Sequence, residues 1–448
     1  MLVVGGGPGG SSCAYWLARA GWDVAVVEKK HFPRVKTCGD GLTPRAVRQL
    51  ADMGLLPALA GSHRYDGLRA HGFGQMVEMG WPLHPTFPSY GYTITRHDLD
   101  GLVAEHAASA GATVWQGTEA VEPIVAPERT GSLAIGPADR PSSAGVAGRP
   151  PAVLPSCIGA VVRQGERGET REIHARCVVV ADGSNSRFGR ALGTSRQRDR
   201  PLGMALRGYY RSPLHDDPYI ESHLDIRTSD GEVVPGYGWI FPLGDGRVNV
   251  GVGLLSTDSR WKGVNTSRLM DVFVEWAPKR WGLSPSTSCG PPTGGKLPMG
   301  LSVGPHAGPT TLVIGDAGGA INPFNGEGIA YAYETGRLAA VAVGRSLSGG
   351  GAGALLDFER ELDQVYGSYY RVARAFVRLI SNPAVMRACV GAGLHSELLM
   401  KELLRIMANL MRPGPAGPAE IGYRAMELVG RLVADRAIDG TIDGAISG

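Results

Sequence analysis

The chain has 448 residues, 43% of them hydrophobic, and a formal net charge of +3. That is enough apolar material for one large core or two joined ones, so wholesale disorder is excluded and a two-domain globular protein is expected. The balanced charge gives no footing for nucleic-acid binding, and six cysteines without C-x-x-C or metal-finger spacing favour a reducing compartment and no metal.

No charged-then-apolar leader and no run of eighteen apolar residues stands in the sequence, so neither secretion nor a membrane span is expected. Leu2 to Val4 read as a buried strand, followed by Gly5, Gly7 and Gly10 in G-x-G-x-x-G spacing. Gly5 allows a tight turn, Gly7 lets the backbone approach a pyrophosphate, and Gly10 lets the next helix pack close on the strand. That helix carries Cys13, Leu17 and Ala18 on one side, points its N-terminal dipole at the phosphates, and ends at Gly21. A second strand, Asp23 to Val27, closes on Glu28, whose carboxylate can accept from a ribose 2′-hydroxyl and would repel a 2′-phosphate. The plain alternative is a glycine-rich turn in another α/β protein. Because the strand begins at Leu2, the natural start is expected upstream of Met1.

Further on, Cys38, Gly39, Asp40 and Gly41 form a small-residue loop able to lie against a flat ring, before a helix opened by Thr43 and Pro44. Cys38 reads equally as a buried thiol. Residues 61–95 hold short strand-like pieces, and Arg96 starts a helix with Asp98 as its cap and Leu99, Leu102, Val103 and His106 as its buried stripe. After a strand pair, residues 126–156 are Pro, Ala, Gly and Ser without periodicity, a flexible surface insertion. The strand Cys177 to Ala181 ends in Asp182-Gly183, at the carboxyl end where open sheets bind ligands.

Residues 200–300 show alternating strands and no helical periodicity. In the segment 236–242, Tyr237, Trp239 and Phe241 share one face, either core or an apolar slot for a long hydrocarbon. The strand Leu312 to Ile314 runs into Gly315-Asp316, where a carboxylate can receive a ribityl hydroxyl, and Gly328 opens a helix whose N-terminus can stabilise negative charge on a ring. From residue 355 onward the pattern is helical and basic, with seven Lys or Arg against two Glu between Gly367 and Arg412. Such helices can cap a domain or lie on a membrane surface.

The G-x-G-x-x-G with Glu28, the Asp182-Gly183 turn and the Gly315-Asp316 strand end together resemble FAD-dependent enzymes of the glutathione-reductase, p-hydroxybenzoate-hydroxylase type. Within them, KTCGDGLTPRAV, YGWIFP followed by NVGVG, and NPFNGEGIAYAYETGRLAA are similar to the geranylgeranyl reductase family. The resemblance implies an α/β, two-domain flavoprotein: a Rossmann-like FAD-binding domain over 1–60, 93–195 and 300–345, a substrate-binding β-sheet domain over 61–92 and 196–299, and C-terminal helices over 346–448. It implies FAD contacts at Gly7, Pro8, Gly9 and Gly10, at Cys38 to Gly41, and from Arg96. It further implies an adenine contact by the backbone at Ala120, a ribityl or phosphate contact at Asp316, and ring contacts at Gly328 and Ile329.

The expected activity is saturation of an isoprenoid C=C bond, as in the menaquinone side chain, by hydride from reduced flavin and a proton from an acid. Cys38 is the candidate acid, together with ordered water and with Tyr237 behind them, and Tyr237, Trp239 and Phe241 would hold the tail. The electron donor is unidentified, and the location expected is cytoplasmic, on the inner face of the membrane, with the C-terminal helices making the contact. The rivals are a geranylgeranyl diphosphate or phospholipid reductase, a flavin monooxygenase or halogenase on the same fold, and a flavin-binding electron carrier. Residues 200–300 hold no compact basic cluster for a diphosphate, which leans towards the quinone.

Overall fold

The computed structural model describes residues 1–127, 153–256, 261, 263–394, 396–413 and 417–428. Five short parallel strands form one sheet, in the order Thr311–Val313, Val178–Val180, Leu2–Val4, Ala25–Glu28 and Thr113–Gln116. Leu2 pairs with Val178 on one side and Ala25 on the other, so the first strand is central. Leu2–Val4 and Val178–Val180 are continuous apolar runs because both faces are covered. Val3, Val26 and Val179 pack under helices, whereas Leu2, Val4, Val178 and Val180 pack towards Cys157, Ala160 and Val162 of a three-stranded antiparallel sheet. The helices Pro8–Arg19 and Ile329–Arg345 lie side by side on the first face, tied by the Ser12 hydroxyl donating to the Tyr333 carbonyl at 3.0 Å.

A second sheet has seven strands, in the order Thr293–Pro298, Leu202–Arg211, Arg247–Leu255, Gly236–Pro242, Tyr219–His223, Gly67–Gly72 and Gln75–Gly80. Tyr219–His223 runs parallel to Gly67–Gly72, and the other pairs are antiparallel. Period-two alternation divides the strand Arg247–Leu255 between two environments. Val248, Val250, Val252 and Leu254 pack on Leu269, Met270, Phe273 and Val274, leaving Asn249, Gly251 and Gly253 for the opposite face.

Those packing partners belong to a helix, Thr266–Trp276, which corrects the expectation of an all-strand stretch over 200–300. Asn265 caps it by accepting from the Arg268 amide at 3.0 Å, and its apolar residues recur at helical spacing within a segment too short to stand out among strands. A second, smaller correction concerns a cap: Thr95, not Asp98, is the N-cap of Arg96–Ser109, with Asp98 in the first turn accepting the Thr95 hydroxyl at 2.6 Å. The strands expected at 23–27, 177–181 and 312–314 run over Ala25–Glu28, Val178–Val180 and Thr311–Val313. Of the insertion expected at 126–156, residues 128–152 lie outside the described residues.

The C-terminal helices do not stand apart. Leu355, Phe358, Tyr366 and Tyr370 join the core beneath the first sheet, and Val390, Met400 and Leu404 pack on Tyr65, Val77 and Met79 beside the second. They close one end of the space between the sheets.

Candidate active site

A cavity of ≈ 520 Å³ is lined from both sheets, within the size range of small-molecule sites. It begins at Gly7, Pro8 and Gly9, passes the loops at 36–41 and 315–328, and runs beneath Tyr237, Trp239 and Phe241. Its far reach is walled by Met386, Met400 and Leu404 of the C-terminal helices.

The first turn is built on glycines that have no room for a side chain at two positions and an open side at a third. Gly5 has a φ of +102°, and a Cβ on Gly10 would stand 1.9 Å from the Gly5 carbonyl oxygen, so both positions exclude a side chain. Around Gly7 a Cβ would meet nothing nearer than Arg34 Nη2 at 3.6 Å, which leaves that side open at the start of the helix. Glu28 is buried, and its carboxylate accepts from the Gly6 and Lys30 amides at 3.0 Å each. Asp182 accepts the Phe188 amide on Oδ2, while its buried Oδ1 has no partner. An orphaned oxygen beside an open glycine cradle fits a cofactor that brings its own hydroxyls and phosphates. Asp316 stands on the cavity wall and pairs with Lys36 at 3.3 Å.

The Cys38–Gly41 loop is held by a polar network that the sequence reading did not resolve. Asp40 has a φ of +62°, is fully buried, and turns away from the cavity. Its Oδ2 accepts from Tyr209 at 2.6 Å and from the Asn249 amide at 2.8 Å, and its Oδ1 accepts the Arg96 amide at 3.1 Å. Asn249 also donates to the Cys38 carbonyl at 2.9 Å and accepts the Trp239 indole N–H at 2.9 Å. One buried side chain therefore joins the loop to the aromatic strand. The room for the indole comes from Gly251, where a Cβ would stand 2.1 Å from the Trp239 ring.

Three protic groups line this stretch of wall. Burial pushes the Cys38 thiol up, against the pull of the Arg96 guanidinium, whose own charge is paired with Asp100 at 2.5 and 2.8 Å. Burial pushes Tyr237 up to about 12, and its hydroxyl donates to the Asn325 carbonyl at 2.6 Å. Burial raises Glu327 to about 7, opposed by the Thr43 hydroxyl and by Arg45.

Of the residues expected from sequence, Gly7, Pro8, Gly9, Cys38, Gly39, Gly41, Arg96, Tyr237, Trp239, Phe241, Asp316, Gly328 and Ile329 converge on the one cavity. Gly5, Gly10, Glu28 and Asp40 lie behind its wall. Ala120 sits in the strand Thr118–Val125, paired with Val162 and away from the lining. Asn249 and Glu327 were assigned no role from sequence; the alternating small residues of NVGVG were the available sign that something large crosses that face.

Among the described residues one cluster has metal-ligand composition, His71, Glu221 and His223, with ligand atoms within 4.8 Å of one another. Its carboxylate is already engaged by Arg280 and by the Trp281 indole at 2.8 Å. No helix among the described residues is long and apolar enough to cross a membrane.

Residues 1–128 match the FAD binding domain family model. The chain is 37% identical over 436 residues to the menaquinone reductase of Mycolicibacterium smegmatis, covering 97% of this chain and 98% of that one. In three dimensions it is similar to a geranylgeranyl bacteriochlorophyll reductase-like protein from Thermoplasma acidophilum, with a TM-score of 0.69, 22% identity and 98% of each chain covered. It is also similar to a flavin-dependent brominase, with a TM-score of 0.67, 18% identity, and 96% of this chain and 98% of that one covered. At those identities the two structures speak for the fold alone. The long match to the reductase carries the assignment: the chain belongs to the geranylgeranyl reductase family of FAD-dependent oxidoreductases.

Proposed function

We propose that this FAD-dependent reductase of isoprenoid chains acts on menaquinone, saturating one C=C bond of its side chain. The observation that carries the reading is the continuity of the cavity from the glycine cradle, past the aromatic strand, to a reach walled by methionine and leucine. A flat ring and a long hydrocarbon each find a matching part of it.

Bound and reduced, FAD supplies the hydride. Gly7, Pro8, Gly9 and Asp316 would hold its phosphates and ribityl chain, and Glu28, just behind that wall, its ribose. Cys38, Gly39, Gly41, Gly328 and Ile329, which share the cavity wall, would meet its ring. Tyr237, Trp239 and Phe241 orient the tail and keep water from the alkene. Cys38 and Tyr237 keep their protons at neutral pH, so both are neutral donors rather than charges in the slot.

The C-terminal helices are read as the membrane contact. Leu379, Leu398 and Leu399 are exposed there. Their basic residues contribute less than their number suggests, because Arg374 donates to the Gly300 carbonyl, Arg378 to the Asp199 carbonyl, and Lys401 pairs with Glu397. A second reading, a diphosphate-headed isoprenoid, is favoured by Lys36, Arg207 and Lys296, which all reach the cavity wall from separate elements.

The test is anaerobic incubation of the chemically reduced, FAD-loaded protein with long-chain menaquinone and, separately, with geranylgeranyl diphosphate, followed by mass analysis. A gain of two hydrogens in the quinone's tail supports the first reading, and hydrogenation of the diphosphate alone supports the second. No change in either lipid, with oxygen uptake stimulated by an aromatic acid, would sink both in favour of a monooxygenase.

A further inference from the structure

Glu327 lies between Gly326 and Gly328, at the turn opening the helix Ile329–Arg345, and lines the cavity. Its Oε1 accepts the hydroxyl of Thr43, the residue that caps the helix Pro44–Asp52. Its Oε2 is buried and has no hydrogen-bond partner. The cation that bears on it is committed elsewhere: Arg45 meets Glu334 at 2.6 and 3.0 Å and donates to the Asn409 carbonyl at 2.8 Å. Among the described residues Glu327 forms no ion pair.

A carboxyl so placed is held as the neutral acid, because a charge there would have neither water nor a counter-ion. With Thr43 donating to Oε1, the proton belongs on Oε2, where the protein offers it no acceptor. Burial raises this group to about 7, while Cys38 and Tyr237, its neighbours on the wall, are pushed above their already weak acidities. Tyr237 feels both Cys38 and Glu327, so the three groups share one stretch of the cavity wall. General acids work best when poised near the operating pH. An isolated alkene, with no carbonyl to polarise, has the greater need of such an acid.

We infer that Glu327 is the proton donor of the reduction, with Thr43 setting its orientation. This rests on the reading of the cavity as the place of isoprenoid reduction. One alkene carbon takes the hydride from the reduced cofactor. The other takes the Glu327 proton onto the π electron pair, forming the second C–H bond as the double bond becomes single. Glu327 is left as a carboxylate, to be reprotonated from water, and the cofactor is left oxidised.

The test uses the FAD-loaded full chain. Infrared difference titration of wild type against E327Q should show a protonated-carboxyl band, absent from the variant, that disappears with a midpoint near the value burial sets. A Glu327 already ionised at about pH 6 would overturn the inference. Anaerobic single turnover with long-chain menaquinone, or with geranylgeranyl diphosphate where that is the lipid reduced, should slow about 100-fold or more in E327Q and lose its fall at alkaline pH. Thr43→Val, which removes a hydrogen bond favouring the ionised form, should move the midpoint upward in both readouts. E327Q reacting at the wild-type rate with the wild-type profile overturns the inference. Wild type that reduces no isoprenoid sinks the activity reading instead, and the two failures are told apart by which protein is silent. Should E327Q lose its flavin, the wild-type infrared midpoint and its shift in Thr43→Val decide.

Discussion

Asn249 donates to the Asp40 carboxylate at 2.8 Å across 209 positions of sequence, and the same side chain holds the Cys38 carbonyl and the Trp239 indole. Asn249→Ala therefore leaves a buried N–H and a buried carbonyl unpaired and takes one donor from Asp40. Each orphaned group costs about 1–3 kcal/mol. The expected outcome is a loss of roughly 3 kcal/mol or more in urea unfolding, with weaker FAD retention because the Cys38–Gly41 loop is freed. A variant as stable as wild type would show the network to be incidental.

How much of this was legible depends on how local each signal is. Gly5, Gly7, Gly10 and Glu28 stand within one strand, turn, helix and strand, so spacing alone marked that turn, and the alternation of Tyr237, Trp239 and Phe241 marked the aromatic face. Asp40 was read as part of the wall because its neighbours are; its positive φ and its distant partners Tyr209 and Asn249 turn it into a clamp beneath the wall. Glu327 looked like one letter of a motif. What sets it apart, the absence of a counter-ion, depends on Arg45 choosing Glu334. The helix Thr266–Trp276 was missed because strands on both sides masked its period.

The cradle glycines should separate by cause. At Gly10 a Cβ collides with the Gly5 carbonyl oxygen, so Gly10→Ala should destabilise the protein by about 1–3 kcal/mol or prevent folding. At Gly7 a Cβ is free of the protein, so Gly7→Ala should keep the melting temperature of the flavin-free chain and lose FAD affinity by about tenfold or more. Thermal melts with and without FAD, beside a flavin titration, check both. Equal FAD binding by Gly7→Ala would move the phosphates elsewhere.

Gly251→Ala places a methyl group against the Trp239 ring, which must then swing from its place under Asn249. Overpacking of this kind costs about 1–3 kcal/mol. Because the displaced indole narrows the slot rather than the cradle, KM for the lipid should rise while FAD content stays near that of wild type. Loss of flavin with an unchanged KM would contradict the division of the cavity.

Cys389 is exposed and also lines the cavity, so the cavity opens at the helix Pro383–Leu394. A bulky maleimide on Cys389 should obstruct a long tail there and slow its reduction by about tenfold, an effect of ~1.4 kcal/mol. Cys389→Ser should be immune to the reagent although Cys289, the other exposed thiol, remains. Inactivation that persists in Cys389→Ser would place the opening elsewhere.

The buried Glu327 carboxyl also ties stability to pH. Its folded-state value of about 7 lies above the ordinary 4.5, so between those two values the folded protein binds more protons than the unfolded chain. Its contribution is therefore fully present below about pH 4.5 and is lost as pH rises through about 7. The full effect is on the order of 3 kcal/mol. E327Q cannot ionise, and its amide fills the same space. Urea unfolding of wild type and E327Q, both FAD-loaded, should give a difference that shifts in favour of E327Q by about 2–3 kcal/mol between roughly pH 5 and pH 8. Parallel pH curves would mean that Glu327 is ionised throughout, and would remove its standing as an acid along with its effect on stability.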